Sequence, residues 1–252
     1  MMRNHFATDT PEFIEGIHAF CDRWCTRCGM TAKCAIAMRD AAPFASAQTA
    51  DASSGLFQFL QVQFQKSALL WDSRAAVCGP ETNRAAGALR SHEHPLFLEA
   101  QRYASLVSEW FHAEEPWFDA RHKALEVHQH AGLPNESFAE AMLEIRGAAE
   151  TVGWYQYDIA AKLQLAVEAS ECPTADSRDS TRETVDGLAK AALVGIDRSI
   201  HAWLRLKRYR AELPDSVFAL LVQLDRLRRA IDEMFPQARF FVRPGLDIAP
   251  TR

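Results

Sequence analysis

Four cysteines, Cys21, Cys25, Cys28 and Cys34, fall inside the stretch "CDRWCTRCGMTAKC" and follow the pattern C-x3-C-x2-C-x5-C. Thiolates are soft ligands that suit zinc and iron–sulfur clusters, and four of them complete either kind of site. Buried free thiols or a chance disulfide are the plain alternatives, yet core cysteines scatter through a fold and do not bunch in this way. Arg23, Arg27 and Lys33 stand among the four. Their positive charge would offset an anionic thiolate group and lower thiol pKa values, although solvated surface charges would give the same pattern. The other two cysteines, Cys78 and Cys172, lie in loop-like surroundings and read as structural thiols.

The element that carries the cluster decides between the metals. A first helix is expected after Thr10, with Pro11 at its first position, a stripe of Phe13, Ile14, Ile17, Cys21 and Trp24, and Gly29 as its stop. On such a helix Cys21, Cys25 and Cys28 share a face, with Cys21 and Cys28 roughly 10 Å apart along the axis. One zinc ion needs all four sulfurs at about 2.3 Å, which an unbroken helix cannot supply from both ends of that span. A cubane cluster is larger and tolerates the spread. The expectation is therefore an iron–sulfur cluster of the [4Fe–4S] kind, with zinc as the alternative if the helix breaks near Cys25.

The compact spacing resembles the cluster-binding segments of [4Fe–4S] ferredoxins. In Cys21, Cys25 and Cys28 it also resembles the C-x3-C-x2-C of radical SAM enzymes, but the alternating strands and helices of their barrel are missing, so that chemistry is not carried over. "CTRCG" is similar to one half of a zinc knuckle whose second C-x2-C is absent.

The rest of the chain must position this segment. With 252 residues it is long enough to bury a substantial apolar core without help from a metal. Apolar residues at 48% and charged residues at 24% are ordinary globular values. A net charge of −5 lacks the basic excess that a phosphate backbone demands, so no nucleic-acid partner is expected. No apolar run is long enough for a membrane span, and "MMRNHFATDTPEF" lacks the order of a signal peptide, which reads as a cytoplasmic protein with no membrane partner.

Helical periodicity recurs along the chain and β-branched alternation is scarce, predicting an all-α antiparallel bundle of about six helices with an N-terminal cysteine-bearing helix. Residues 1–40 read as the metal-binding segment, 41–55 as a linker and 56–252 as the bundle. Within it, "LFQFLQVQFQKSALLW" favours a helix, and a later one carries Phe97, Ala100, Ala104, Val107 and Phe111 until Pro116 kinks or restarts it. The clearest pattern runs from Phe138 to about Ala169, with Met142, Ile145, Ala149, Val152, Ile159, Leu163 and Ala166 on one face. Leu193, Ile196, Ile200 and Trp203 mark another helix; Val217, Leu220, Leu221, Leu224, Leu227 and Ile231 mark the last, opened by Pro214 and Asp215. The tail "FPQARFFVRPGLDIAP" reads as packing back on the bundle or onto a second subunit.

Polar residues inside the apolar stripes form a second candidate site. Gln156 sits between Val152, Ile159 and Leu163, with Tyr155 and Lys162 on the adjoining row. Each needs a partner if buried. Asp197 and His201, one turn apart, with Arg198 and Lys190 nearby, are the expected partners, as a structural network or as the lining of a substrate cavity. Glu109–His112 resembles half of the E-x-x-H motif of ferritin-like di-iron proteins, but it falls opposite the apolar row, where solvent explains it better. Asp119, His122 and Glu126 form a related spacing better read as a half-buried histidine, and His92 with His94 is a weak chelating pair.

"CDRWCTRC", "GWYQYDIAAKL" and "GLAKAALVGIDRSIHAW" together resemble a set of bacterial all-helical proteins. That resemblance implies no activity, only that the Tyr155–Lys162 and Lys190–His201 regions belong in one unit with the cysteines. Nucleophile-elbow, P-loop and Rossmann glycine patterns are absent from the sequence. The readings that remain are an iron–sulfur protein for electron transfer or redox sensing, with a redox protein or a small molecule as partner; a helical scaffold with structural zinc; and a ferritin-like di-metal oxidoreductase.

Overall fold

The computed structural model describes residues 13–39, 92–131, 136–171, 178–210 and 215–248. The expected linker, the helix beginning at Leu56, Cys78 and Cys172 lie outside these residues. The described residues contain five α-helices: α1 (Ala35–Arg39), α2 (Pro95–His130), α3 (Glu136–Glu171), α4 (Arg178–Tyr209) and α5 (Asp215–Met234). The all-α fold class expected from the periodicity is the one observed.

Two compact units divide the chain. One spans Ala50–Phe241 and holds α2 to α5; the other joins Met1–Thr49 to Val242–Arg252 and holds the four cysteines and α1.

In the helical unit, α2 begins with Pro95 at its first turn and the His94 ring nitrogen Nδ1 accepting the Leu96 N–H at 3.2 Å, which occupies one of the orphan donors of the helix start. Of the kink or restart expected at Pro116, the restart does not occur, because α2 continues through it to His130. An internal proline costs about 3 kcal/mol in lost hydrogen bonding and ring clash. Burial of Trp110, Phe111 and Phe118 on either side offsets it, since each large apolar side chain contributes about 1.5–3 kcal/mol when removed from water.

Side-chain pairs fix the directions of the long helices. Ser108 meets Gln156, and His92 meets Gln164, so α2 and α3 run oppositely. Tyr155 meets Arg198 and Glu144 meets Tyr209, which makes α3 and α4 antiparallel as well. Tyr103 meets Trp203 and Glu114 meets Arg210, so α2 and α4 run in the same sense. Gly195 permits the close approach of α4 to α3: a Cβ there would stand 3.0 Å from Tyr155 Cδ1 and 3.1 Å from Ile159 Cγ1.

The core is where the stripes placed it. Phe97, Ala100, Ala104, Val107 and Phe111 on α2 are buried, as is the whole predicted face of α3 from Met142 to Ala166. Trp203 lies at its centre, edge-on to Trp110 at 4.7 Å, and donates its indole N–H to the Tyr103 hydroxyl at 3.0 Å. That bond satisfies a buried donor which would otherwise carry a desolvation penalty.

Candidate functional site

The cysteine unit is not built on a long helix. Turns occupy residues 15–19, a 3-10 turn covers Cys25–Arg27, a second covers Thr31–Lys33, and only the short α1 follows Cys34. Local chemistry explains why the helical spacing of Cys21, Cys25 and Cys28 does not yield a helix. Gly16 takes a left-handed φ of 71°, and Arg23 sits at 58°. The Asp22 carboxylate accepts the Trp24 N–H at 3.1 Å, a side-chain-to-backbone bond that competes with helix formation.

Backbone turns carry the cysteines. The Cys28 N–H donates to the Cys25 carbonyl at 3.2 Å, and the Cys34 N–H to the Thr31 carbonyl at 3.3 Å. The Met30 N–H points at Cys28 Sγ at 3.4 Å. Ile14 N–H donates to the Lys33 carbonyl at 3.0 Å and closes the segment on itself. All four thiols are free and half-buried.

The other three thiols act on Cys25 through their charge. Burial pushes the Cys25 thiol up to about 11, and the charges of Cys21, Cys28 and Cys34 push in the same direction, against a smaller lowering by Arg23. The lowered thiol pKa expected from the neighbouring cations is therefore corrected at Cys25, where desolvation and mutual repulsion win. Arg27 lies 4.3 Å over the Trp24 ring. Among the described residues, no group of three or more His, Cys, Asp or Glu side chains is drawn tightly enough to hold a single metal ion. The thiols are neighbours around Cys25 without being closed on one point.

The C-terminal residues complete this unit. Gly245, at φ 68°, leaves room for Ile14 and Ile17: a Cβ there would come within 2.7 Å of Ile14 Cδ1 and 3.2 Å of Ile17 Cδ1. Ile17 is buried. Arg243, also buried, forms a multiple-contact ion pair with Asp247, with Nη2 at 2.7 Å from Oδ1. The tail, read from sequence as packing on the bundle or a second subunit, belongs beyond Phe241 to the cysteine unit.

The polar residues of the bundle meet only in part. Gln156 is fully buried, but its Oε1 accepts from Ser108 Oγ of α2 at 3.3 Å rather than from α4, and its Nε2 finds no partner among the described residues. Tyr155 is buried and bonded to Arg198 of α4, whose guanidinium lies 5.7 Å over its ring. Asp197 instead meets Arg228 of α5 at 3.8 Å, Lys190 Nζ donates to the Arg239 carbonyl at 2.7 Å, and His201 is exposed. Lys162 is buried at 3% exposure and engaged. All seven residues belong to the helical unit. Tertiary pairing turned Gln156 toward α2, which no single-helix periodicity reports.

The ferritin-like spacings are not gathered into a site. Glu109 and His112 are exposed, and His112 stands 4.0 Å from Glu115. His122 Nε2 lies 3.5 Å from Glu126 Oε1 on the same helix. His92 and His94 are taken up separately, by Gln164 and by the α2 cap.

Two features went unnoticed in sequence. One is the ion pair of buried Glu114 with Arg210. The other is a cleft between α2 and α5, whose signal was Gln223 inside the apolar stripe of Leu220, Leu224 and Leu227. No helix among the described residues is long and apolar enough to cross a membrane. No protein family, curated protein or solved structure matches the chain.

Proposed function

We propose that Cys21, Cys25, Cys28 and Cys34 bind an iron–sulfur cluster that serves electron transfer or redox sensing. The observation that carries this reading is the gathering of four free thiols into one electrostatic neighbourhood around Cys25. Crowded, partly desolvated thiolates repel one another, and a cationic centre relieves that repulsion while displacing their protons. Tight turns, an N–H directed at Cys28 sulfur and a packed Ile14–Ile17–Gly245 clasp give the ligands a shaped surround, and hydrogen bonds to sulfur and burial are what tune the potential of such clusters.

One observation favours zinc as the second reading. The 3-10 turn at Cys25–Arg27 followed by Cys28, Gly29 and the Met30 N–H to sulfur has the form of a metal-binding knuckle, and the helical objection to zinc falls with the helix. The two readings separate on Cys25→Ser and Cys34→Ser variants. Under the first, both lose visible absorption, iron and sulfide while the helical circular-dichroism signal stays. Under the second, the wild type is colourless and the variants lose about one zinc per chain. Iron retained after all four cysteines are changed to serine would refute both and favour carboxylate and histidine ligands.

A further inference from the structure

The cleft between the first turns of α2 and the last turns of α5 has a volume of about 510 Å³, within the range of about 300–1,000 Å³ usual for small-molecule sites. Its apolar wall is aliphatic. Leu96 and Leu227 are buried within it, and Met234 is 39% exposed beside them.

Two carboxylates, Glu99 and Glu233, and two guanidiniums, Arg102 and Arg226, line the cleft. Glu99 on α2 accepts the Gln223 side-chain amide of α5, which orients its carboxylate and leaves its charge in place. Asp225, next to the cleft residue Arg226, is held by Arg228 and Arg229. Arg102 and Arg226 both line the cleft, and neither makes an ion pair among the described residues. The remaining lining carboxylate, Glu233, is seven residues from Arg226 on α5, a separation of about 10 Å along the axis, too far for a direct pair. Two exposed guanidiniums, neither in an ion pair among the described residues, thus line the same cleft as the aliphatic wall. Guanidinium forks match carboxylates geometrically, and an apolar wall supplies area for a chain attached to one.

We propose that this cleft binds an aliphatic monocarboxylate, with its head on Arg102 and Arg226 and its chain along Leu96, Leu227 and Met234. The site is separate from the cysteines and does not depend on the metal reading.

The test is a titration of the full chain, labelled with ¹³C at its methionine methyl groups, with decanoate, 1-decanol and decylamine below their aggregation limits. The Met234 signal is assigned with Met234→Leu. Decanoate is expected to shift that signal saturably and to bind at least about tenfold more tightly than the alcohol or the amine. Arg102→Gln with Arg226→Gln should bring decanoate down to the alcohol's affinity, and the single Arg226→Gln, at an exposed position, gives the same direction if the double variant does not fold. No saturable shift at Met234, equal binding of the alcohol, or tighter binding of the amine would overturn the proposal.

Discussion

Alanine at Gly245 should loosen the cysteine unit, and a second glycine supplies the control. Gly245 has φ 68°, and a Cβ there would stand 2.7 Å from Ile14 Cδ1, 3.2 Å from Ile17 Cδ1 and 3.3 Å from Ile14 Cγ2. The left-handed backbone alone costs a non-glycine residue roughly 1–2 kcal/mol. Overpacking against Ile14 and Ile17 adds about 1–3 kcal/mol, toward the low end if the flexible Ile14 tip turns away. Gly16 has φ 71° but nothing within 4 Å of the position its Cβ would take, so Gly16→Ala carries the backbone cost alone. The assay is hydrogen exchange of the Ile14 amide, which is bonded to the Lys33 carbonyl at 3.0 Å. With about 1.4 kcal/mol for each factor of ten, Gly245→Ala should speed Ile14 exchange by roughly 30-fold or more. Gly16→Ala should speed it by about 5- to 30-fold. Both comparisons are made with the proteins in the same metal state. Exchange at Ile14 within about threefold of wild type in Gly245→Ala, or an equal effect of the two substitutions, would refute the clasp of the tail on Ile14 and Ile17.

Three further outcomes follow from the same chemistry. In reduced, metal-free protein, alkylation of Cys25 followed by mass spectrometry should reach half its maximal rate near pH 11, because burial and the neighbouring thiols hold the proton on; a midpoint at the ordinary thiol value would contradict their crowding. Tyr103 is fully buried and its hydroxyl is pushed well above the usual tyrosine range by burial. The native state then holds that proton after the unfolded chain has released it, so stability should fall as pH rises past about 10. Tyr103→Phe should flatten that slope in urea melts, while costing about 1–3 kcal/mol at neutral pH by orphaning the Trp203 indole N–H. Lys162→Met should lower stability by about 1–3 kcal/mol in urea denaturation, because the ammonium is buried and engaged; an unchanged midpoint would mean that the side chain reaches water.

Periodicity made the helical unit legible. Met142 to Ala166 on α3 and Val217 to Ile231 on α5, with Leu221 half-buried, leave water because a 3.6-residue stripe has no other way to do so. The same rule misled at the cysteines, where spacings of four and three imitate a helix face. There the chain follows the Asp22 bond to the Trp24 amide and the left-handed backbone at Gly16 and Arg23, and no stripe records those. Pro116 misled in the opposite sense: its local cost is real, but the buried aromatics around it outweigh it. Partners of polar groups were only partly legible. Tyr155 meets Arg198 of the expected set, but Gln156 meets Ser108, and half-exposed Asp197 meets Arg228, because the packing of whole helices chooses which faces oppose. The clasp of Gly245 on Ile14 joins the two ends of the chain, a separation no local pattern bridges.

The most direct test of the central claim is iron, zinc and acid-labile sulfide analysis, with a visible spectrum, on the full chain purified without oxygen. The account predicts a coloured protein with roughly four iron and four sulfide per chain, both lost in Cys25→Ser. A colourless protein without iron or sulfide, whether it carries zinc or no metal, would contradict it.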